Sequence, residues 1–539
     1  MKPTVFRQWQ DRATIWRQYL KGDNRLGKNH TLMVVGLLIM LGLLVGCKDG
    51  LDQTQVNTGK EEPIPQLTVI KPLFPGHIYH PDTELEKLIE QGARVEVKYE
   101  TPPFSEYKAR LAVKMAGGDL ADIMNTYSPN DPEHNALIDQ GVFLALDSLL
   151  PKFPKLKQAF SEQTWEYMRN PTDGHIYGVP WMRDRGGQGI VIRKDWLDKL
   201  GLSMPTTLDE LVAVLIAFRD RDPDGNNLKD TIPLTFKDHQ ISNLNTIFPL
   251  FGLNPGWAPL VTDPNRLQYG MIQPEAKEAL IFLRSLRQQG LLDPDLLVGK
   301  TLGYDKFKSG KVGVLFMNLG DYRQLAVMPS LQTEIVDPIE HKGNRWSLTL
   351  PSTPINRTNQ ISSRSANPEA ALRYLEYQIT EGYDYIQYGV EGKTYQVENG
   401  IKVPFDNEKK DPQFSTNVGL ELLQPEWLFS DPEKYTKFVS KATAEYLMRK
   451  LDSYEKNSMY DYLRPNVVVP SLQEKSAQLR LILEEGYTRI IVDTKTNPDT
   501  AFDEMVNKWK KNGGDQVTHD VNLLQKDKSA PSYTYMRKP

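Results

Sequence analysis

From Leu67 onward the chain alternates between two hydrophobic periods, and that alternation limits the folds open to it. Leu67-Thr68-Val69-Ile70 reads as a buried strand. Arg94-Val95-Glu96-Val97-Lys98-Tyr99 changes side at every residue, the period of a strand. Between them a helix is expected from about Asp82 to Gln91, with Asp82 or Thr83 as its cap and Gly92 as its stop. A second helix is expected from about Ser105 to Met115, with Tyr107, Leu111, Val113 and Met115 among its apolar positions. Gly117-Gly118 ends it, and Asp122-Ile123-Met124 makes a short third strand. Strand, helix, strand, helix, strand is the pattern of an α/β fold with a mainly parallel sheet. It continues as strands at 189–193 and 311–316 and helices at about 207–219, 274–289 and 367–380. After about residue 405 the pattern is mostly helical, with one further strand expected near Arg489–Val492.

Composition narrows the function. The 539 residues allow two to four domains, at about 100–200 residues each. Lys and Arg number 65 against 69 Asp and Glu, which gives no global attraction to nucleic acid. Hydrophobic residues are 39% and charged residues 25%, unlike a polytopic membrane protein. The single cysteine, Cys47, excludes an intramolecular disulfide and a thiolate metal cage. Eight histidines are present, without an HExxH motif; the pair His77 and His80 reads as an exposed loop.

The N-terminus reads as an export signal. Lys2, Arg7, Arg12, Arg17, Lys21, Arg25 and Lys28 face only Asp11 and Asp23 in residues 1–30. An uncharged apolar run follows from Leu32 to Gly46 and ends at Cys47. A basic head, a short apolar stretch and a small residue before the cut is a signal peptide. The run falls short of the ~20 residues of a spanning helix. The long head leaves an uncleaved helical anchor as the alternative. Polar residues up to Gln66, with Pro63 and Pro65, read as a flexible tether.

Two sets of residues carry a family resemblance. Leu44-Val45-Gly46-Cys47 resembles the lipobox of bacterial lipoproteins. That resemblance implies cleavage before Cys47 and a covalent lipid on its thiol, two or three acyl chains anchoring stably where one is marginal. Further along come residues 115–123 (MAGGDLADI, with Ala121 where the family has Pro), 174–180 (GHIYGVP), 192–202 (IRKDWLDKLGL) followed by 205–210 (PTTLDE), Phe251-Gly252 with Trp257, 290–294 (GLLDP), 310–314 (GKVGV) and 389–395 (GVEGKTY). In this order, over about residues 66–525, they resemble the extracellular solute-binding proteins (family 1) of ABC importers. The lipoprotein sugar binders of Gram-positive bacteria, the LplA-like group, are closer, and the alginate-oligosaccharide binders are similar. The resemblance implies an α/β, two-lobe periplasmic-binding-protein-like fold of type II, its lobes joined by hinge strands around a ligand cleft. It implies a signal peptide at 1–46, a tether at 47–66, lobe I from 67–185 and 338–405, and lobe II from 186–337 and 406–530. The implied partners are an oligosaccharide and ABC permease subunits, with the membrane reached through the lipid; a monomer is expected.

One loop has metal-binding chemistry. Oxygen-bearing side chains recur at Asp222, Asp224, Asn226 and Asp230 about the turn at Gly225, and the Leu228 carbonyl falls where a calcium loop uses backbone. The alginate binders carry a similar loop, which implies a structural calcium here. Their pattern ends in a bidentate Glu, whereas this chain has Thr231. The alternative is an Asx-rich turn without metal.

Sugars present flat C–H faces to aromatic rings and hydroxyls to polar groups. Trp257 after the Asn254-Pro255-Gly256 loop, Trp181 after Pro180, Tyr127 after the 122–124 strand and Tyr322 after Phe316 are the candidate platforms, with core packing as the alternative for each. Trp196 reads as core. Arg185, beside Asp184, would hold a uronate carboxylate if it enters the cleft, or else make a solvated charge pair. Glu391 would accept hydroxyl bonds or cap a turn. The competing class is a surface-anchored carbohydrate-active enzyme, a glycosidase, which needs two carboxylates across one bond. A third, an adhesion or cell-wall protein, fits the strand–helix alternation less well. No nucleophile, P-loop or zinc motif is present, and the expected function is binding without catalysis.

Overall fold

The computed structural model describes residues 63–528 except 75–78, 130–131, 238–243, 245, 261, 297–301, 327, 329, 346, 351–353, 399, 406–408, 416–417, 438, 465–466 and 527. The stretch expected as a signal segment, Cys47, most of the expected tether and His77 lie outside the described residues.

The two larger sheets are built from β1 (Gln66–Ile70), β2 (Glu96–Glu100), β3 (Ile123–Thr126), β4 (Val179–Met182), β5 (Gln188–Arg193), β6 (Ile232–Phe236), β7 (Val312–Asn318), β8 (Thr333–Ile335) and β9 (Ile355–Ile361). Their orders are β2-β1-β3-β9-β4 and β8-β5-β7-β6, one sheet to each of two α/β lobes. In the first, β2, β1 and β3 run parallel, while β9 is antiparallel to both neighbours, with Asn359 opposite Asn125 and Arg357 opposite Trp181. In the second, β6 and β7 are parallel and β5 is antiparallel to β7 and β8. The expectation of a mainly parallel sheet therefore holds for β1–β3 and for the β6–β7 pair, and not for β4, β5, β8 and β9. Parallel neighbours need a crossover helix; β5 instead follows β4 directly, through 183–187, and enters reversed.

Local signals act where expected. Thr83 caps the helix Glu84–Ala93 by accepting the Glu86 N–H. Thr207 and Glu210 close a capping box on Leu208–Asp220. Gly118 ends Phe104–Gly117 in the left-handed conformation. Gly92 lies within its helix, which Arg94 ends instead, and Val113 is exposed. The strand expected near Arg489–Val492 is the last turn of the helix Pro470–Val492. Leu479, Ile482, Leu483, Tyr487 and Ile490 recur at helical spacing and are buried, and that period outweighs the strand preference of the β-branched tail.

In lobe I, Leu67, Val69, Ile123, Val179 and Ile361 share one sheet face and pack with Leu85 and Ile89. Leu420, Leu422 and Leu423 join this core, so 420–423 belongs with lobe I rather than with the 406–530 share of lobe II; a leucine-rich stretch buries wherever an apolar face is open. In lobe II, Ile190, Ile192, Leu234, Phe236, Val314 and Phe316 pack with Trp196 and Phe218. Trp196 is 1% exposed, a core residue as read.

Three segments join the lobes side by side. The Arg183 N–H donates to the Pro354 carbonyl at 2.7 Å, and the Met182 N–H to the Gln424 carbonyl at 3.0 Å. Gly186 and Gly187 both have positive φ, at 77° and 59°, a backbone that side chains resist. A Cβ on Gly186 would lie 2.4 Å from Leu451 Cδ2. Among the described residues no helix is long and apolar enough to cross a membrane.

Candidate ligand site between the lobes

Open α/β sheets take ligands beyond the carboxyl ends of their strands. In lobe I that edge collects Lys71 after β1, Tyr127 after β3, and Trp181 near the end of β4, opposite Arg357 on β9. Strand alternation puts Lys71, Asn125, Trp181 and Arg357 on one face. Arg357 Nε donates to Asn125 Oδ1 at 2.6 Å. Lys71 donates to the Glu421 carbonyl and lies 5.5 Å from the centre of the Trp181 ring. Burial pushes the Lys71 ammonium down to about 7, against the pull of Glu421.

A polar seam continues toward lobe II. Gln424 Nε2 donates to Asp184 Oδ1 at 2.8 Å, and Arg323 Nη1 approaches the same oxygen at 3.7 Å. Gln387 Nε2 donates to Glu421 Oε1 at 2.9 Å. Burial opposes the Arg323 charge, yet the carboxylates of Asp184, Asp321 and Glu421 and the ring hydroxyl of Tyr435 outweigh it and hold the guanidinium above its ordinary range. Burial also lowers Lys437, which senses Glu421, Arg323 and Asp184. Hydrogen-bonding groups, cations and rings thus gather where the lobes meet, the makings of a site for a hydroxyl-rich ligand.

The sequence candidates are placed unevenly. Trp181 and Tyr127 belong to this edge. Trp181 is 8% exposed and meets Phe74 edge to face at 6.3 Å. Tyr127 is half-buried, with Arg357 5.7 Å and Lys108 5.6 Å from its ring centre. Trp257, at 4% exposure, is packed in the lobe II core against Tyr269, and its backbone N–H donates to Asp461 Oδ1 at 3.2 Å. In this structure the ring has no free face for a sugar; the loop before it folds inward because the indole finds apolar neighbours there. Tyr322 is likewise core, its hydroxyl donating to the Thr333 carbonyl at 2.9 Å. Arg185 is claimed by acids of the helix Lys441–Lys456: Nη2 reaches Asp452 Oδ1 and Glu455 Oε2, each at 2.6 Å. Burial works against its charge, and Glu455 and Asp452 more than offset it, holding Arg185 above the ordinary arginine range. It is neither a cleft group nor a solvated pair, but a part-buried structural one. Glu391 is exposed beside the Tyr395–Glu398 hairpin strand. Lys71, Arg323, Arg357, Glu421 and Lys437 were not anticipated. The one available signal was the polar strand INRTNQI at 355–361, which is almost wholly buried.

The 222–230 loop folds around its own Asx groups. Asn226 Nδ2 bridges Asp224 Oδ2 at 2.8 Å and Asp230 Oδ1 at 2.9 Å. Asp222 accepts from the N–H groups of Gly225 and Asn227, both at 3.1 Å. The Leu228 N–H donates to Asn226 Oδ1 at 2.6 Å. Partial desolvation and the facing Asp222 carboxyl push Asp224 up. Thr231 turns away to donate to the Phe218 carbonyl at 2.8 Å. The donor chemistry suits a hard cation, with an amide now bridging the carboxylates. Among the described residues no group of three or more His, Cys, Asp and Glu side chains gathers as a metal site.

Two α/β lobes, three adjacent joining segments and a polar, aromatic edge between them define a substrate-binding protein of the two-lobe class. The chain belongs to the family of bacterial extracellular solute-binding proteins, whose model matches residues 82–385. It is 27% identical over 510 residues to the polygalacturonan/rhamnogalacturonan-binding protein YtcQ of Bacillus subtilis, covering 92% of this chain and 98% of that one. It is 24% identical over 510 residues to the lipoprotein LipO of Bacillus subtilis, covering 89% and 96%. The crystal structure of the alginate-binding protein AlgQ2 without calcium ion superposes with a TM-score of 0.65 at 20% identity, covering 86% of this chain and 98% of that one. The two-lobe fold is thus shared with a protein named for binding alginate.

Proposed function

We propose that this protein captures an oligosaccharide outside the cell membrane and delivers it, chemically unchanged, to the permease of an ABC importer. The observation that carries the reading is the edge of the lobe I sheet, where Trp181, Tyr127 and Phe74 stand among Lys71, Arg357 and Asp184. Rings to cover sugar faces and polar groups to meet hydroxyls are what a saccharide site needs. Relatives named for binding polygalacturonan/rhamnogalacturonan and alginate support it. Closure of the lobes about the three joining segments would enclose the ligand. Acyl chains on Cys47 would hold the protein at the outer face, a reading supported by the lipoprotein relative. A calcium ion held by Asp222, Asp224, Asn226, the Leu228 carbonyl and Asp230 would brace the turn between the helix Leu208–Asp220 and β6, and do nothing more.

The test is titration of the purified protein with oligosaccharides, followed by tryptophan fluorescence and calorimetry, with chromatography of the recovered ligand. Saturable binding and an intact ligand are expected. Cleaved ligand would turn the assignment to a carbohydrate-active enzyme.

A further inference from the structure

Lobe II presents a wall of its own to the cleft. Strand β5 starts from the joining segment at Gln188, which lies opposite Asn318, the last residue of the antiparallel β7. The Leu319 N–H donates to the Gly187 carbonyl at 2.9 Å. Strand β6 runs parallel to β7, with Phe236 opposite Phe316. The carboxyl ends of β6 and β7 therefore both point to the joining segments, and the turns after them face the lobe I edge, where open α/β sheets take ligands.

Those turns bring an ion pair and a ring together. Lys237 follows β6, and its Nζ donates to Asp321 Oδ2 at 2.5 Å, three residues past the end of β7. A Cβ on Gly303 would lie 2.0 Å from the Phe236 carbonyl oxygen, and this close approach lets the Tyr304 N–H donate to the Lys237 carbonyl at 3.0 Å. The Tyr304 ring centre is 5.9 Å from Lys237 Nζ, and the Tyr304 hydroxyl donates to Gln324 Oε1 at 3.0 Å. The pair differs from Lys306–Asp293 on the same helix, where Asp293 is fully buried and both its oxygens accept from Lys306, with Thr235 also on Oδ2. Lys237 and Asp321 keep 38% and 20% of their side chains exposed. Among the described residues Asp321 Oδ1 accepts no hydrogen bond, and Lys237 uses one of the three N–H donors of an ammonium. An open acceptor and open donors one ion-pair length apart suit two adjacent hydroxyls, one donating to the carboxylate and the other accepting from the ammonium. A ring beside them suits the C–H face of the same sugar.

We propose that the Lys237–Asp321 pair is a specificity contact on the lobe II wall that binds a vicinal diol of one pyranose unit, with Tyr304 against the face of that unit. This rests on the oligosaccharide reading above and adds to it the part of the sugar that lobe II recognises.

Calorimetry with maltotriose, cellotriose and trigalacturonate, and with the 2,3-di-O-methyl form of each, tests it. Methylation keeps the ring and removes the donors of the diol. At least one parent triose is expected to bind about tenfold or more tightly than its methylated form, since a site built to bond hydroxyls rejects the analogue that cannot offer them. Asp321→Asn and Lys237→Met should each shrink that ratio at least threefold, while melting within about 2 °C of the unaltered protein, as part-exposed pairs contribute little to stability. Tyr304→Ala should weaken parent and methylated forms alike. The parent–methyl comparison uses the unaltered protein, and either pair variant suffices if the other fails to fold. Equal binding of parent and methylated forms by the unaltered protein, or a ratio unchanged in the pair variants, would overturn the diol contact and leave oligosaccharide capture intact. No binding by any triose would overturn both.

Discussion

Asp184 and Arg323 meet across the lobes: the carboxylate sits on the segment that leaves β4, and the guanidinium stands 3.7 Å away on the lobe II side. Asp184 also packs on Gly320, where a Cβ would lie 2.5 Å from its own. Both side chains are about four-fifths buried, so water screens the pair less than a surface one. Asp184→Ala is expected to destabilise by about 1–3 kcal/mol, chiefly by leaving a part-buried cation without this partner. A double-mutant cycle with Arg323→Met in urea unfolding measures the coupling; a value near zero would show that the pair contributes nothing.

Asp461 gives stability a pH dependence. Burial pushes its carboxyl up to about 7, against backbone N–H groups of Leu463, Trp257 and Tyr462. In the unfolded chain it ionises at about 3.9. Between those values the folded state holds a proton that the unfolded state has lost, so its contribution falls as pH rises from about 4 to 7 and is level above that. The protein is expected to lose on the order of 1–3 kcal/mol from this group over that window. Asp461→Asn should flatten the stability profile there, read from urea midpoints at pH 4.5, 6 and 8.

Trp257→Ala is expected to act on folding rather than on ligand contact. Removing a buried indole costs about 3–5 kcal/mol. Thermal unfolding should show the loss, while the affinity of the fraction that remains folded stays within about threefold. A large loss of affinity at unchanged stability would return Trp257 to the ligand site.

Calcium is expected to raise the melting temperature, and a chelator to lower it, by about 2–5 °C. Asp224→Asn should abolish the response by removing a carboxylate of the 222–230 loop. Superimposable melts with calcium and with chelator would leave the loop as an Asx turn.

Cys47→Ser should free the protein from the membrane fraction and abolish labelling by a radioactive fatty acid. Continued sedimentation with membranes would favour an uncleaved helical anchor.

The α/β class was legible because β1, β2 and helices such as Glu84–Ala93 and Leu208–Asp220 carry clean periods and caps, Thr83 and Thr207 among them. Strand β9 was not. Its INRTNQI run is polar, and it is buried because Asn125 bonds Asn359 and Arg357 across the sheet, a pairing made 232–234 residues apart that no local window reveals. For the same reason Arg357 went unnoticed while Arg185, conspicuous beside the crossing, was overvalued. Its partners Asp452 and Glu455 lie more than 260 residues away. Aromatic residues were ambiguous in kind: Trp257 and Trp181 look alike in sequence, and only tertiary packing sends one into a core and the other to an edge.

The place of β9, wedged between β3 and β4 in the lobe I sheet, has a consequence for biogenesis. A nascent chain carrying the first four strands lacks the one that bridges them, so this half of the molecule stays unfinished until residues 355–361 have been made. The lobe II sheet, whose strands all lie between Gln188 and Ile335, is complete in sequence before the lobe I sheet is.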